Sequence, residues 1–336
     1  MTLIVHAPNV HGGGGKALLL AALRGVAVAQ QCTLLADARL RPGPLPGHIV
    51  VVTFPPTLSG RFAAERHLRS IARPSDFVLC MGNLPPLLRC AARVSLFLQN
   101  RYLCEDLPLT GFPLMARWRL RVERWWLRRR LATDMPVLVQ TASMRNAVRQ
   151  SLGRDALVAP FAELLVPVER PSAAAGFRFL YPASGEPHKN HPTLLAAWRL
   201  LAQAGVEAEL HLTVDHNSHL AEDIARARAN GLPVVNHGRV DATSMVHLYQ
   251  TSTALIFPSL RESFGLPLLE AQAASLPIVA AERDYVRDVV EPAETFDPES
   301  PLSIARAVRR LLGTAERPVP PMTPAEFIAT AVTPRA

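Results

Sequence analysis

The sequence predicts an α/β protein made of two facing, Rossmann-like, doubly wound domains. Three observations lead to this. Short β-favouring runs alternate with helical patterns along the chain, which gives parallel sheets with helices on both faces. The length of 336 residues suits two domains, and 49% of residues are hydrophobic, enough for two cores. The stretch Pro160–Gly176 breaks the alternation with Pro167, Pro171 and an Ala-Ala-Ala run, and reads as an interdomain linker. The domains are therefore placed at 1–165 and 166–318, with a Pro-rich tail at 319–336.

In the first half, strands are expected at Thr2–Ala7, Cys32–Ala36, His48–Thr53, Phe77–Met81, Val94–Gln99 and Pro136–Gln140. Helices are expected at Lys16–Gln30, Gly60–Ala72, Pro113–Ala132 and Ser143–Leu152, the last capped by Thr141 or Ser143. In the second half, strands are expected at Phe177–Tyr181, Glu207–Thr213, Val234–Asn236, Ala254–Phe257, Pro277–Ala281 and Thr295–Asp297. The helices there are His191–Gln203, His219–Asn230, Thr243–Thr251, Leu266–Ser275, Asp284–Val290 and Pro301–Leu312. A short last helix is placed at Pro324–Ala331.

No run of eighteen apolar residues occurs, so no transmembrane helix is expected. The N-terminus enters a strand pattern directly, without a basic region or cleavage site, which argues against a signal peptide. Cys32, Cys80, Cys90 and Cys104 lack CxxC spacing and read as reduced thiols of a cytoplasmic protein. The net charge of +8 comes from Arg, since Lys16 and Lys189 are the only lysines, and it points to an anionic partner.

The most informative string runs from Pro258 to Ala271. It predicts a strand, a tight Gly turn and a helix, with Glu262 at the loop end and Glu270 further down the helix. Such a turn aims backbone N–H groups and a helix N-terminus at one spot, which favours an anion. Earlier, Asn9-Val-His11-Gly12-Gly13-Gly14-Gly15-Lys16 is a backbone that can approach phosphate closely. It is neither a P-loop nor a clean GxGxxG, and a flexible turn at a helix start also fits it. In Ser184-Gly-Glu-Pro-His-Lys189-Asn190, Asn190 is a helix N-cap and Lys189 sits at the helix mouth, where its charge can meet phosphate.

The Pro258–Ala271 string resembles the donor-site signature of the retaining family 4 glycosyltransferases, which have the GT-B fold. That resemblance places the site in the cleft between the domains. It implies that Glu262 lies near the transferred sugar, that Glu270 accepts from ribose hydroxyls, and that the amides of Ser263, Phe264, Gly265 and Leu266 hold sugar and diphosphate oxygens. Lys189 resembles the family's diphosphate-binding lysine, and Glu262 and Lys189 are the catalytic candidates. Gly13, Gly14 and Gly15 would face the donor diphosphate. Gly238 and Arg239 resemble a segment lining the nucleobase pocket, with Arg239 either reaching phosphate or simply exposed. The arginine that often precedes the family's lysine is replaced by Ser184 or Ala183, leaving Arg261 as a candidate second cation.

On the acceptor side, Gln99 and Asn100 stand where relatives place a His, and His11 is the alternative. The amide side chains can hydrogen-bond hydroxyls but cannot act as a base near neutral pH. No Asp-x-Asp motif occurs, and neither a metal nor another cofactor is expected. The segment 116–131 holds seven Arg and three Trp, with Trp118, Val122, Trp125 and Trp126 on one helical face. Two arrangements fit it: the headgroup layer of an anionic membrane, or a core helix with a solvated Arg face. No nucleic-acid motif accompanies the arginines. The expected activity is metal-independent transfer of a sugar from a nucleotide-diphosphate sugar to a glycan or lipid-linked glycan, with retention, in cell-surface polysaccharide synthesis. The alternatives are a nucleotide-sugar-binding protein without transfer activity, or a sugar-nucleotide epimerase. The expected location is cytoplasmic, peripheral on the inner membrane face if 116–131 contacts lipid.

Overall fold

The computed structural model describes residues 1–105, 107, 109, 112–163, 176–315 and 323. They form two sheets in which every pairing is parallel. The first sheet contains β1 (Leu3–Ala7), β2 (Cys32–Asp37), β3 (Ile49–Phe54), β4 (Phe77–Cys80), β5 (Arg93–Phe97), β6 (Val137–Val139) and β7 (Leu157–Val158), in the order β3-β2-β1-β4-β5-β6-β7. The second contains β8 (Phe177–Tyr181), β9 (Ala208–Leu212), β10 (Val234–Asn236), β11 (Ala254–Phe257), β12 (Ile278–Ala281) and β13 (Glu294–Phe296), in the order β10-β9-β8-β11-β12-β13. Both sheets run outward from their first strand, then reverse. The reversals fall between β1 and β4 and between β8 and β11, where doubly wound sheets open a crevice at their carboxyl ends.

Helices α1 (Gly13–Arg24), α2 (Leu58–Ile71), α3 (Arg101–Cys104), α4 (Leu114–Arg130) and α5 (Ala142–Leu152) accompany the first sheet. Helices α6 (His191–Gln203), α7 (His219–Ala229), α8 (Ala242–Thr251), α9 (Leu266–Ala273), α10 (Asp284–Arg287) and α11 (Pro301–Leu311) accompany the second. Buried side chains cover both sheets: Leu19, Leu34 and Leu23 on one face of the first, Leu68, Leu96 and Val137 on the other, and Tyr181, Trp198 and Tyr285 in the second domain.

The two-domain α/β architecture is the expected one, and the expected strands lie within two residues of those observed. Several local expectations need correction. Helix α1 begins at Gly13, inside the glycine run, and stops at Gly25, short of Gln30. The apolar pattern continues through Val26 and Val28, but glycine followed by β-branched residues disfavours helix. Strand β7 and the single turn α3 were not expected, because neither is long enough to show a period. Helix α10 ends at Arg287, before Val290. The boundary at 165/166, most of the linker and the tail helix at Pro324–Ala331 lie outside the described residues.

Helix α4 presents Leu114, Met115, Trp118, Val122 and Trp125 to solvent, with Trp118 63% and Trp125 65% exposed. Leu120 and Leu127 face inward. Trp126 does not share the exposed face. Its indole N–H donates to Pro85 O at 3.1 Å, and the Arg61 guanidinium lies 5.2 Å from its ring centroid. One helical step of about 100° is enough to turn it inward. Among the described residues, no helix is long and apolar enough to cross a membrane.

Candidate functional site

The loops after β8 and β11 meet at the second switch point. The chain leaves β11 into Ser259, which is fully buried. The Ser259 hydroxyl donates to Glu262 Oε1 at 2.6 Å, and Tyr285 OH donates to Ser259 O at 2.6 Å. Lys189 Nζ reaches the same Glu262 oxygen at 2.6 Å. The pair is shielded yet reachable, with side chains 18% and 12% exposed. Ion pairs in such a medium interact more strongly than in bulk water.

Lys189 ends a single 3-10 turn, Pro187–Lys189. Tyr181 OH donates to its carbonyl at 2.8 Å, and Leu260 N donates to His188 O at 2.8 Å, so the two loops are laced together. Asn190 stands at the cap position of α6 but makes no side-chain cap. Its backbone is left-handed, with φ of 63°, and its amide donates to Pro258 O at 3.2 Å and Pro298 O at 2.7 Å. The expected cap is therefore a loop fastener. Burial lowers the pKa of His188, and lowers that of His191 to about 4. Both shifts favour the neutral imidazole, and Lys189 supplies the positive charge of this loop.

Gly265 opens α9 at φ 81°. A Cβ there would stand 2.9 Å from Leu268 Cδ1, so the turn has room only for glycine. Glu270 lies just over one helical turn further along α9. Tyr249 OH donates to its Oε2 at 2.7 Å, and Oε1 makes no hydrogen bond among the described residues. Burial raises the Glu270 pKa, opposed by the Tyr249 hydrogen bond.

The first domain closes over this loop. A Cβ on Gly14 would lie 3.5 Å from Leu266 Cδ1, and one on Gly15 would lie 3.9 Å from Gln99 Oε1. The glycine run, Gln99 and the Pro258–Ala271 turn therefore form one cleft. Gln99 is pinned: its N–H donates to Asn83 Oδ1 at 2.6 Å and its Nε2 to Met81 O at 3.3 Å. Asn100 caps α3, its Oδ1 accepting from Tyr102 N at 3.0 Å. His11 is 43% exposed and lies 3.8 Å from Asp37 Oδ2. Gly238 has a left-handed backbone beneath the His216 ring, which a Cβ would approach to 2.3 Å. Arg239 pairs with Asp215 at 2.9 Å and is 84% exposed.

Sequence reasoning missed the groups that join the domains. Arg101 Nη1 donates to Glu262 O at 3.4 Å, Thr141 Oγ1 to Ser263 O at 3.1 Å, and Ser143 N to Asp288 Oδ2 at 2.8 Å. Thr141 reads from the sequence as a helix cap, but a one-dimensional pattern does not say what lies across a cleft. Tyr102 stacks edge-on to His188 at 5.8 Å, and the nearby charge of Arg261 opposes the burial that raises its pKa. Lys189 and Arg101 thus both reach Glu262, one at its carboxylate and the other at its carbonyl.

Residues 170–319 match the family model described as glycosyl transferases group 1. The chain is 30% identical over 150 residues to the serotype-specific mannosyltransferase WbdA of Escherichia coli, covering 43% of this chain and 18% of that protein. It is 30% identical over 173 residues to the D-inositol 3-phosphate glycosyltransferase of Acidothermus cellulolyticus, covering 51% of this chain and 36% of that one. The chain therefore spans well under half the length of these curated relatives. In structure it resembles the lipopolysaccharide outer core galactosyltransferase WaaB, with a TM-score of 0.62 at 16% identity, covering 94% of this chain and 92% of that one. That likeness extends over both domains and is one of fold, the GT-B arrangement of two facing Rossmann-like domains.

Proposed function

We propose that this chain is a retaining, family 4 type glycosyltransferase. It moves a sugar from a nucleotide-diphosphate sugar to a hydroxyl of a glycan or lipid-linked glycan, in cell-surface polysaccharide synthesis. The observation that supports this best is the Lys189–Glu262 pair, set in the cleft beside the N-terminus of α9 and opposite the glycine run.

In this reading the donor diphosphate competes with Glu262 for Lys189 and takes the free amides at the start of α9. Negative charge developing on the leaving phosphate is stabilised there, and Glu262 faces the positive charge developing on the sugar. Glu270 Oε1 is open to accept from ribose hydroxyls. Gln99 orients the acceptor, and the departing phosphate takes its proton. The cationic side chains and the helix terminus supply the positive charge, so we propose a metal-independent reaction. The exposed Trp118–Trp125 face of α4, flanked by arginines, supports peripheral binding at an anionic membrane where a lipid-linked acceptor resides.

The test is nucleoside diphosphate release from UDP-, GDP-, ADP- and TDP-sugars, with and without a membrane-lipid acceptor extract. Acceptor-dependent release from one donor is expected. Binding without release would favour a binding protein, and conversion of the sugar without acceptor would favour an epimerase.

A further inference from the structure

A second cationic feature lies away from the cleft. At the amino ends of β4, β5 and β6, a pocket of about 900 Å³ is walled by Arg89, Arg93, Ser95, Arg129 and Arg130, with Asp134 as its one carboxylate. The catalytic loops leave the carboxyl ends of the strands. Arg93 opens β5 and Gln99 follows its end, so roughly 20 Å separates the pocket from the cleft. A shallower depression lined by Arg121, Arg124, Trp125, Arg128 and Arg129 adjoins it, sharing Arg129.

Among the described residues, no carboxylate lies within 4 Å of the nitrogens of Arg89, Arg93, Arg129 or Arg130, although the charge of Arg130 is felt by the buried Glu65. Arg93 lies over the Phe77 ring at 5.2 Å, and Arg130 Nε donates to Pro86 O at 3.5 Å. Like charges crowded into one concavity repel, and a phosphate answers that repulsion, with guanidinium forks matching its oxygens two at a time. The pocket lies at the C-terminal end of α4, whose apolar face holds Trp118 and Trp125 in solvent. A ligand that fits both features has a phosphate headgroup joined to an apolar body.

We propose that this pocket binds the phosphate of an anionic phospholipid while Trp118 and Trp125 enter the same bilayer, fixing how the enzyme sits on the membrane. The proposal rests on the membrane reading given above. Its test is co-sedimentation of the full chain with phosphatidylglycerol-containing vesicles and with pure phosphatidylcholine vesicles. Phosphatidylglycerol-dependent binding is expected. Arg89→Ala/Arg129→Ala is expected to weaken it about 30-fold. Arg89→Lys/Arg129→Lys, which keeps the charge but loses the forks, is expected to weaken it about tenfold. A control pair on the second domain, Arg199→Ala/Arg306→Ala, is expected to change it by no more than about twofold.

Wild-type binding to neither vesicle would overturn the membrane reading and the pocket together. Full binding by the Lys pair would leave membrane attachment standing as diffuse charge attraction and overturn the pocket alone. Glycerol phosphate that raises the melting temperature through Arg89 and Arg129, with no vesicle binding, would assign the pocket to a soluble phosphate ester and overturn the lipid claim.

Discussion

Lys189 Nζ lies 2.6 Å from Glu262 Oε1, although 73 positions separate the two residues. The contact exists because β8 and β11 are neighbours in the second sheet, so the loops that follow them emerge side by side. One loop thus brings a cation and the other a carboxylate to the same point. Lys189→Ala is expected to lower kcat/KM for the sugar nucleotide by about 100-fold, the scale of one lost charge-assisted contact to phosphate. Steady-state kinetics with the identified donor would show it. A change below about threefold would remove Lys189 from the site.

The two domains are latched by Asp288, whose carboxylate accepts from the N–H and hydroxyl of Ser143 at the N-terminus of α5. A negative group there is favoured by the helix dipole. Thr141 beside it holds the Ser263 carbonyl. Asp288→Ala is expected to cost about 1–2 kcal/mol in denaturant unfolding and to raise KM for the donor more than it lowers kcat. Small-angle scattering should show a more open particle.

The buried carboxyl of Glu270 gives a pH signature. Burial raises its pKa in the folded state, so the native protein holds this proton more tightly than the unfolded chain does. The group therefore costs stability as pH rises through the carboxylate range and beyond. Glu270→Gln removes that cost while keeping an oxygen for the Tyr249 hydroxyl. Its melting temperature is expected to exceed the wild type's, by a margin that grows as pH rises above about 4, where the unfolded chain's carboxyl ionises. Nucleotide affinity is expected to fall in the same variant, since a carboxylate acceptor for ribose is lost. Parallel melting curves across that range would contradict the account.

Backbone geometry makes a sharper contrast between two glycines. Gly265→Ala forces a Cβ into a left-handed turn and to within 2.9 Å of Leu268, and is expected to cost about 2 kcal/mol. Gly12→Ala meets nothing within 4 Å and has an extended backbone, and is expected to be near neutral. Chemical denaturation of both variants would check this.

Much of the fold was legible because the strands are short apolar runs separated by capped helices. The strand–turn–helix from Ala254 to Ala273 was legible because its parts are contiguous: the run Ala254–Phe257, Gly265 at the turn, and Glu262 and Glu270 around it. Partners across the cleft were not. Nothing local to Arg101 or Asp288 distinguishes them from ordinary surface polar residues, and the cap at Thr141 does not reveal its second partner, Ser263; only the docking of one domain against the other gives these contacts. The orientation of Trp126 was lost for a related reason. Four apolar positions on a wheel suggest one face, while the true face is set by where Pro85 and Arg61 lie. Asn190 and Asn100 show that a residue suited to capping or hydroxyl binding is assigned its task by its backbone, left-handed at Asn190 and extended before α3 at Asn100.

A nucleotide-sugar donor site at the Lys189–Glu262 cleft requires that Lys189 help to hold the nucleotide. Melting temperatures of the wild type and of Lys189→Ala, measured with UDP, GDP, ADP and TDP and their sugar conjugates, test it most directly. A ligand held by the native state raises the melting temperature by mass action. A clear rise is expected with one nucleotide diphosphate and its sugar conjugates in the wild type, and none in Lys189→Ala. No rise with any of them, or an equal rise in both proteins, would contradict it.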